Sequence, residues 1–274
     1  MPEGPEIRRA ADEVAAAIAG KRTEKVFFAF DRLKHFEPML SGEVIDAVET
    51  RGKAMLTRFA NDYNIYSHNQ LYGRWVIRDA YDWPQTNRQL RLAIHNPEKS
   101  ALLYSASEIE VLHNSELADH PFLSKLGPDL MDPDVTEAEV IARFRAEEFQ
   151  RRRLTTLLLD QGFLAGTGNY LRSEILFTAG VHPSLRPMDC TDEQLDALGR
   201  AALMLTRRSY ATQGITNDPD RAAALKAAGW KWDDYRFQVF RRDGQGCFTC
   251  GELIRQDRIG GRGLYYCPHC QAEK

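Results

Sequence analysis

From Glu6 to Ile18 the apolar residues Ile7, Ala10, Ala11, Val14 and Ile18 recur at three-to-four-residue spacing, which lays one stripe along a helix. After Lys25 the period shortens. Seven runs follow, KVFFAF, EVIDAVETRG, AMLTRFA, YNIYSHN, RWVIRDA, LRLAIHN and SALLYS, each bounded by Gly, Pro, Asn, Asp or other polar residues. Their spacing of roughly ten residues predicts a sandwich or barrel-like sheet domain. A second helix is expected around Ser107 to Leu112 or just beyond.

The stretch KLGPDLMDPDVT holds two prolines, a glycine and three aspartates, and reads as a linker. Beyond it the pattern turns helical, through TEAEVIARFRAEE, RRLTTLLLDQ, YLRSEILFTAG and TDEQLDALGRAALMLTRRSY. Thr136 with Glu139, and Thr191 with Gln194, stand at the offsets of capping boxes that open two of these helices. The expected organisation is therefore α+β and multidomain. A β-rich domain covers 1–124, a linker 125–136, a helical domain 137–237, and a small cysteine-rich module 238–272.

A length of 274 residues suits two modest domains, and 43% hydrophobic with 27% charged residues is ordinary for a globular chain. No apolar run approaches the roughly 18 residues of a membrane span, and MPEGPEIRR opens without a secretory signal. A cytoplasmic monomer, away from membranes, is expected. The net charge of -3 argues mildly against a nucleic-acid partner, but charge is uneven, with five arginines between Arg143 and Arg153. That run is either a solvated face or a phosphate-binding patch, and charge alone does not decide.

Cysteines change the picture more. Cys247-x2-Cys250-x16-Cys267-x2-Cys270 is the spacing of two knuckles that place four thiolates about one structural Zn²⁺. With four sulfurs filling the shell, His269 is left exposed. Cys190 stands alone, as a small hydrophobe. Between the knuckles, DRIGGRGLYY lifts Arg262 on a glycine-flanked tip, where it is either a solvated loop residue or a phosphate grip.

Pro2 follows the initiator methionine, and removal of Met1 would expose a secondary α-amine. An α-amino group titrates near 8, well below lysine, so more of it is nucleophilic at neutral pH. Condensation with an aldehyde-level carbon gives an iminium ion, a strong electron sink, and Glu3 is placed to supply a proton. By itself MPEG is an ordinary start to a protein.

Several segments fall together in one order: MPEGPEIRRA, ETRGKAMLTRF, YSHNQLYG, HPFLSKLGPD, LLLDQGFLAGTGNYLRSEIL and the terminal cysteine pairs. In that order they resemble the formamidopyrimidine-DNA glycosylase/endonuclease VIII family, across nearly the whole chain. The resemblance implies an N-terminal β-sandwich flanked by helices, a helix–two-turn–helix domain and a C-terminal β-hairpin zinc finger. It implies a bifunctional glycosylase and abasic-site lyase of base excision repair, acting on double-stranded DNA with a damaged base or abasic site.

It also implies roles. Pro2 attacks C1′, Glu3 is the general acid, Lys53 assists elimination, and Arg262 grips phosphates at the lesion. Asn169, in the turn GTGN before a helix, matches a phosphate-binding position, and a helix start offers free N–H groups to an anion. Lys125 occupies another such position, with a point charge in place of a guanidinium fork. The target nucleotide is flipped out, and Gln70, Leu71 and Tyr72 match the void-filling loop of the endonuclease VIII branch. That loop favours oxidised pyrimidines over oxidised purines, and β,δ-elimination then cuts the strand.

One segment departs from the family pattern. NDPDRAAALKAAGWKWDDYR looks longer than expected; Asp218 and Pro219 could open it, with a short helix over Ala222 to Ala228. Trp230 and Trp232 either pack back on the domain or stack on a base. Two readings from other classes are a DNA-binding protein that kept the scaffold without catalysis, and a zinc-ribbon interaction module. Intact Pro2, Glu3 and Lys53 weigh against the first, and the N-terminal motif is unexplained by the second.

Overall fold

The computed structural model describes residues 2–273, which fall into two compact units that divide after Lys125. Met1, whose removal the Pro2 chemistry requires, lies outside the described residues. Among those residues no helix is long and apolar enough to cross a membrane.

The first unit begins with α1 (Gly4–Ile18). Glu3 is its N-cap: the Glu3 backbone N–H donates to the Glu6 carboxylate at 3.0 Å, and Pro5 occupies the first turn. Ile7, Ala11, Val14 and Ile18 form the buried stripe, each at most 2% exposed. A large apolar side chain buried there contributes roughly 1.5–3 kcal/mol, so a charged Val14→Asp would unseat the helix.

The seven expected strands are present as β1 (Lys25–Phe28), β2 (Ile45–Arg51), β3 (Ala54–Phe59), β4 (Tyr63–His68), β5 (Arg74–Asp79), β6 (Leu90–His95) and β7 (Lys99–Tyr104), with the short helix α2 (Glu37–Leu40) between the first two. No helix covers Ser107–Leu112; the one expected there or just beyond is only a short 3₁₀ segment after it. In its place stands an eighth strand, β8 (Glu108–His113), followed by that 3₁₀ turn at Asn114–Asp119. Ile109 and Leu112 suit a helix while Ile109 and Val111 suit a strand; antiparallel pairing with β4, His68 opposite Glu108, decides for the strand.

The eight strands make two antiparallel sheets, β1-β6-β7-β5 and β2-β3-β4-β8. Phe28, Trp75, Leu92 and Leu103 of one sheet share a core with Ile45, Met55, Ile65 and Ile109 of the other, and α1 joins it. The unit is a sandwich. Side chains alternate to the outer faces, where Ala54, Leu56 and Tyr66 gather with Phe122 and Leu123.

The second unit carries α3 (Glu137–Arg145), α4 (Leu154–Leu157), α5 (Asn169–Thr178), α6 (Asp192–Ala211), α7 (Pro219–Ala227) and α8 (Trp232–Tyr235), then β9 (Arg255–Ile259) and β10 (Arg262–Tyr266). Thr136 and Thr191 cap α3 and α6 through their hydroxyls, and the Thr191–Gln194 box is reciprocal. α4 is a single turn, shorter than its sequence pattern, because Asp160 and Gly162 close a loop directly after it. Residues 126–136 lie along this unit: Gly127 donates to the Gln161 carbonyl, and Leu130 is wholly buried in its core. A Cβ on Gly127 would lie 2.5 Å from two backbone carbonyl oxygens, which is why this approach needs glycine.

Asp218 caps α7 and Pro219 stands in its first turn, so the long segment opens where its sequence indicated. Trp230 and Trp232 are 44% and 39% exposed, which leaves each half-packed. The Arg236 guanidinium lies 3.6 Å from the Trp232 ring centre, while Trp230 leans toward Phe248.

Candidate active site

Pro2 precedes the N-cap of α1 and is partly exposed, whereas Glu3 is 1% exposed. The start of α1 therefore presents an accessible residue beside a buried carboxylate, at the helix end where backbone N–H groups favour negative charge.

Lys53 sits in the two-residue turn Gly52-Lys53 that joins β2 to β3, closed by the Arg51–Ala54 pair. Gly52 has φ 60°, the left-handed first position that such hairpins require. The turn tucks Lys53 in, leaving it 7% exposed. Its ammonium lies close enough to His68 to help hold that imidazole below its ordinary range, although burial of His68 is the larger cause and Glu108 opposes both. Lys53, His68 and Glu108 thus interact electrostatically at one end of the β2-β3-β4-β8 sheet.

Gln70, Leu71 and Tyr72 follow β4 after one intervening residue, Asn69. The loop is a tight turn: Gly73 N–H donates to the Asn69 carbonyl at 2.7 Å, and a Cβ on Gly73 would fall 2.6 Å from Asn69 backbone atoms. Gln70 adopts φ 50°, and its backbone N–H donates to His68 Nδ1 at 3.1 Å. Its carboxamide is held as well, donating to Glu108 Oε2 at 2.9 Å and accepting from Ser107 at 2.7 Å. Arg88 donates to the Tyr72 carbonyl at 2.7 Å. The side chains of Leu71 and Tyr72 project, 59% and 70% exposed. Lys125 ends the first unit on a 3₁₀ turn and is exposed.

In the second unit Asn169 is the first residue of α5, after the N-cap Gly168. Its Nδ2 donates to the Gly263 carbonyl at 2.8 Å, and its Oδ1 accepts from buried Arg172 at 2.7 Å. Arg172 also donates to the same Gly263 carbonyl at 3.3 Å. Ser173, one residue on, accepts from the Tyr265 N–H at 3.3 Å. The start of α5 and the β9–β10 hairpin are therefore one assembly. Arg262 is exposed on it, just after the Gly260-Gly261 turn, whose φ values of 58° and 77° are both left-handed.

The four cysteine sulfurs lie within 4.8 Å of one another, with 3.5 Å between Cys250 and Cys267 and 3.9 Å between Cys247 and Cys270. Tetrahedral zinc with bonds of about 2.3 Å needs sulfurs about 3.8 Å apart. Backbone N–H groups of Thr249 and Cys270 point at Cys247 and Cys267, as thiolate ligands require. The set fits one closed, structural zinc, and His269 is exposed beside it.

Most of the arginine run is structural. Arg143 donates to the Phe163 and Gly162 carbonyls and pairs with Glu148, Arg145 pairs with Asp196, and Arg152 with Asp160. Arg151 and Arg153 remain exposed. Cys190 is half-buried against the helical core, and burial pushes its thiol up to about 11, leaving it unreactive near neutrality.

Three domain families match in sequence: the formamidopyrimidine-DNA glycosylase N-terminal domain over residues 1–106, its H2TH domain over 126–219, and the zinc finger found in FPG and IleRS over 244–272. Endonuclease 8 of Salmonella paratyphi A is 48% identical over 271 residues, covering 99% of this chain and 100% of the relative. Endonuclease 8 of Shigella sonnei matches at 48% with the same coverage. The chain belongs to the formamidopyrimidine-DNA glycosylase/endonuclease VIII family. It is accordingly a DNA-repair glycosylase with abasic-site lyase activity. Lactococcus lactis formamidopyrimidine-DNA glycosylase, bound non-covalently to abasic-site DNA, shares the fold with a TM-score of 0.82 at 20% identity, over 99% of this chain and 100% of that one.

Three residues around these positions escaped the sequence reading. Arg172 follows Asn169 by one helical turn, a spacing that could have marked it. His68 lies inside the YSHNQLYG motif itself. Glu108 carries no motif, and its place opposite His68 becomes visible only once β8 is a strand.

Proposed function

We propose that the chain removes oxidised pyrimidines from duplex DNA through a Pro2 Schiff base and cuts the strand by β,δ-elimination. Support comes from the chemistry of its first residues: a partly exposed Pro2 beside a buried Glu3 at the N-terminus of α1. With Met1 removed, the Pro2 nitrogen becomes a secondary amine, and the positive end of α1 disfavours its protonated form.

The amine bonds to C1′ of the flipped nucleotide as the bond from C1′ to the base breaks, and Glu3 delivers a proton during base loss. The sugar ring opens, leaving an iminium between C1′ and nitrogen. A secondary amine carries no second N–H to lose, so this iminium keeps its charge and acidifies the C2′ hydrogens. Loss of a C2′ proton expels the 3′ phosphate, and the extended conjugated system then expels the 5′ phosphate. Water finally hydrolyses the iminium and returns the amine. Lys53 supports the eliminations and contacts phosphate; Lys125, Asn169 and Arg262 grip the backbone. Zinc takes no part in these steps and holds the hairpin that presents Arg262.

The match of Gln70, Leu71 and Tyr72 to the endonuclease VIII branch supports the pyrimidine preference, and the exposed side chains of Leu71 and Tyr72 suit the recovery of stacking in the void left by the flipped base. The test uses duplexes carrying one thymine glycol, dihydrouracil or 8-oxoguanine each, with borohydride added during turnover. Cleavage of the first two with a borohydride-trapped adduct on Pro2 is expected. Active enzyme that forms no adduct overturns the Schiff base, and preferential cleavage of 8-oxoguanine overturns the pyrimidine assignment.

A further inference from the structure

The carboxylate of Glu108 joins a buried anchor to the exposed loop. One oxygen, Oε1, accepts from the Tyr66 hydroxyl at 3.0 Å. Tyr66 is fully buried, its ring packed 4.5 Å from that of His120 and 6.3 Å from that of Phe122. The other oxygen, Oε2, accepts from the Gln70 carboxamide at 2.9 Å, and Ser107 donates to the oxygen of the same carboxamide at 2.7 Å. Both polar ends of the Gln70 side chain are therefore engaged by Glu108, the first residue of β8, and by Ser107 just before it. Position accounts for this: Glu108 opens β8 opposite His68, and the loop leaves β4 immediately beyond that pair.

An exposed loop residue ordinarily keeps its rotamers free, and fixing a long glutamine side chain costs conformational entropy. Here that ordering is already complete, together with the left-handed backbone of Gln70 at φ 50°. Leu71 and Tyr72 are left as the side chains free to enter a duplex.

We propose that Glu108, with Ser107, is a positioning residue for the void-filling loop: it anchors Gln70 on the protein so that Leu71 and Tyr72 are presented as the wedge. This rests on the reading of residues 70–72 as the loop that fills the void. Glu108 acts through Gln70 and touches no reacting atom. Its contribution belongs to duplex substrates alone, because a single strand has no stack to refill.

The decisive measurement is a double-mutant cycle on kcat/KM, using an abasic site in duplex and in single-stranded oligonucleotides. Glu108→Ala is expected to lower duplex cleavage about tenfold or more and to leave single-strand cleavage unchanged. In a Gln70→Ala background the same substitution should have no further effect. Glu108→Gln, which keeps one acceptor oxygen of two, should lose less. Ser107→Ala, at an exposed position away from Tyr66, should lose duplex activity in the same direction and serves as the variant if Glu108→Ala fails to fold.

Equal losses on both substrates would place Glu108 in the chemistry through His68 and Lys53, and additive losses in the cycle would make it independent of Gln70. Either outcome overturns the proposal. A wild-type protein without activity on any lesion duplex would instead overturn the functional reading. In that case 2-aminopurine opposite an abasic analogue still reports wedge entry, and an unchanged signal with Glu108→Ala overturns the positioning role.

Discussion

Asn169 donates its side-chain amide to the carbonyl of Gly263 at 2.8 Å, joining the start of α5 to the residue after Arg262. Arg172 bonds Asn169 Oδ1 and so fixes which end of the amide faces the hairpin. One amide N–H remains for a phosphate. The phosphate contact proposed for Asn169 and the placement of the hairpin would thus depend on the same side chain.

Asn169→Asp should therefore weaken binding more than Asn169→Ala. The aspartate keeps the Arg172 contact but turns a donor into an acceptor, facing both the Gly263 carbonyl and any phosphate. Fluorescence anisotropy with an abasic-analogue duplex should show at least tenfold weaker binding, from a lost charge-assisted bond and a new repulsion. Wild-type affinity in the aspartate variant would exclude a phosphate contact at Asn169.

Glu174 is fully buried and accepts four hydrogen bonds: from Gln238, Val239 and Phe240 N–H at 2.9, 2.8 and 2.9 Å, and from the Thr216 hydroxyl at 2.7 Å. Removing it leaves buried donors unpaired, at roughly 1–3 kcal/mol each. Glu174→Ala is expected to lower Tm by well over 5 °C, with the loss concentrated in the second unit. Glu174→Gln should lose less, since one oxygen still accepts. A Tm within a degree of wild type would mean that the segment entering the zinc module has other support.

How far the sequence showed these arrangements depends on their range. The short runs and their Gly, Pro, Asn and Asp boundaries marked seven strands because each is a brief apolar or β-branched segment closed by turn residues, and β3, β4 and β7 are buried along nearly their whole length. β8 was misread because six residues bounded by Glu108 and His113 satisfy both periods, and only the pairing with β4 distinguishes them. The capping residues Thr136, Thr191 and Asp218 act within one turn, and all three stand where the spacing indicated. The Asn169–Gly263 bond spans 94 residues, and no local pattern encodes it. Likewise the packing of Trp230 and Trp232 depends on Phe248 and Arg236 rather than on the tryptophans, which stay partly open to solvent.

His68 carries a pH dependence whose sign follows from its surroundings. Burial first, and then the Lys53 charge, hold its imidazole below the ordinary value near 6.5. The unfolded chain therefore takes up the proton first as pH falls. Stability from neutral His68, including the bond its Nδ1 accepts from Gln70, is complete above about 6.5 and is lost as pH drops through the lower folded value. The Tm difference between wild type and His68→Asn should shrink steadily from pH 7.5 to pH 5. A constant difference would show that His68 keeps its protonation state over that range.

Zinc removal separates the hairpin from the rest of the second unit. Four thiolates close the site, but Ile254, Val239 and Phe177 are the few buried apolar side chains packed around it. So small a core does not hold the two cysteine knuckles without their metal, and the hairpin between them then keeps only Leu264 and Ile259 against the helical core. Chelation should loosen β9 and β10, free Asn169 from Gly263, and weaken duplex binding, while α3, α5 and α6 keep their helical circular dichroism over the large apolar core they share. Added zinc should restore binding. Chelated protein, verified free of metal, that binds duplex like the zinc-loaded form would mean that neither the placement of Arg262 nor the Asn169 clamp depends on the metal.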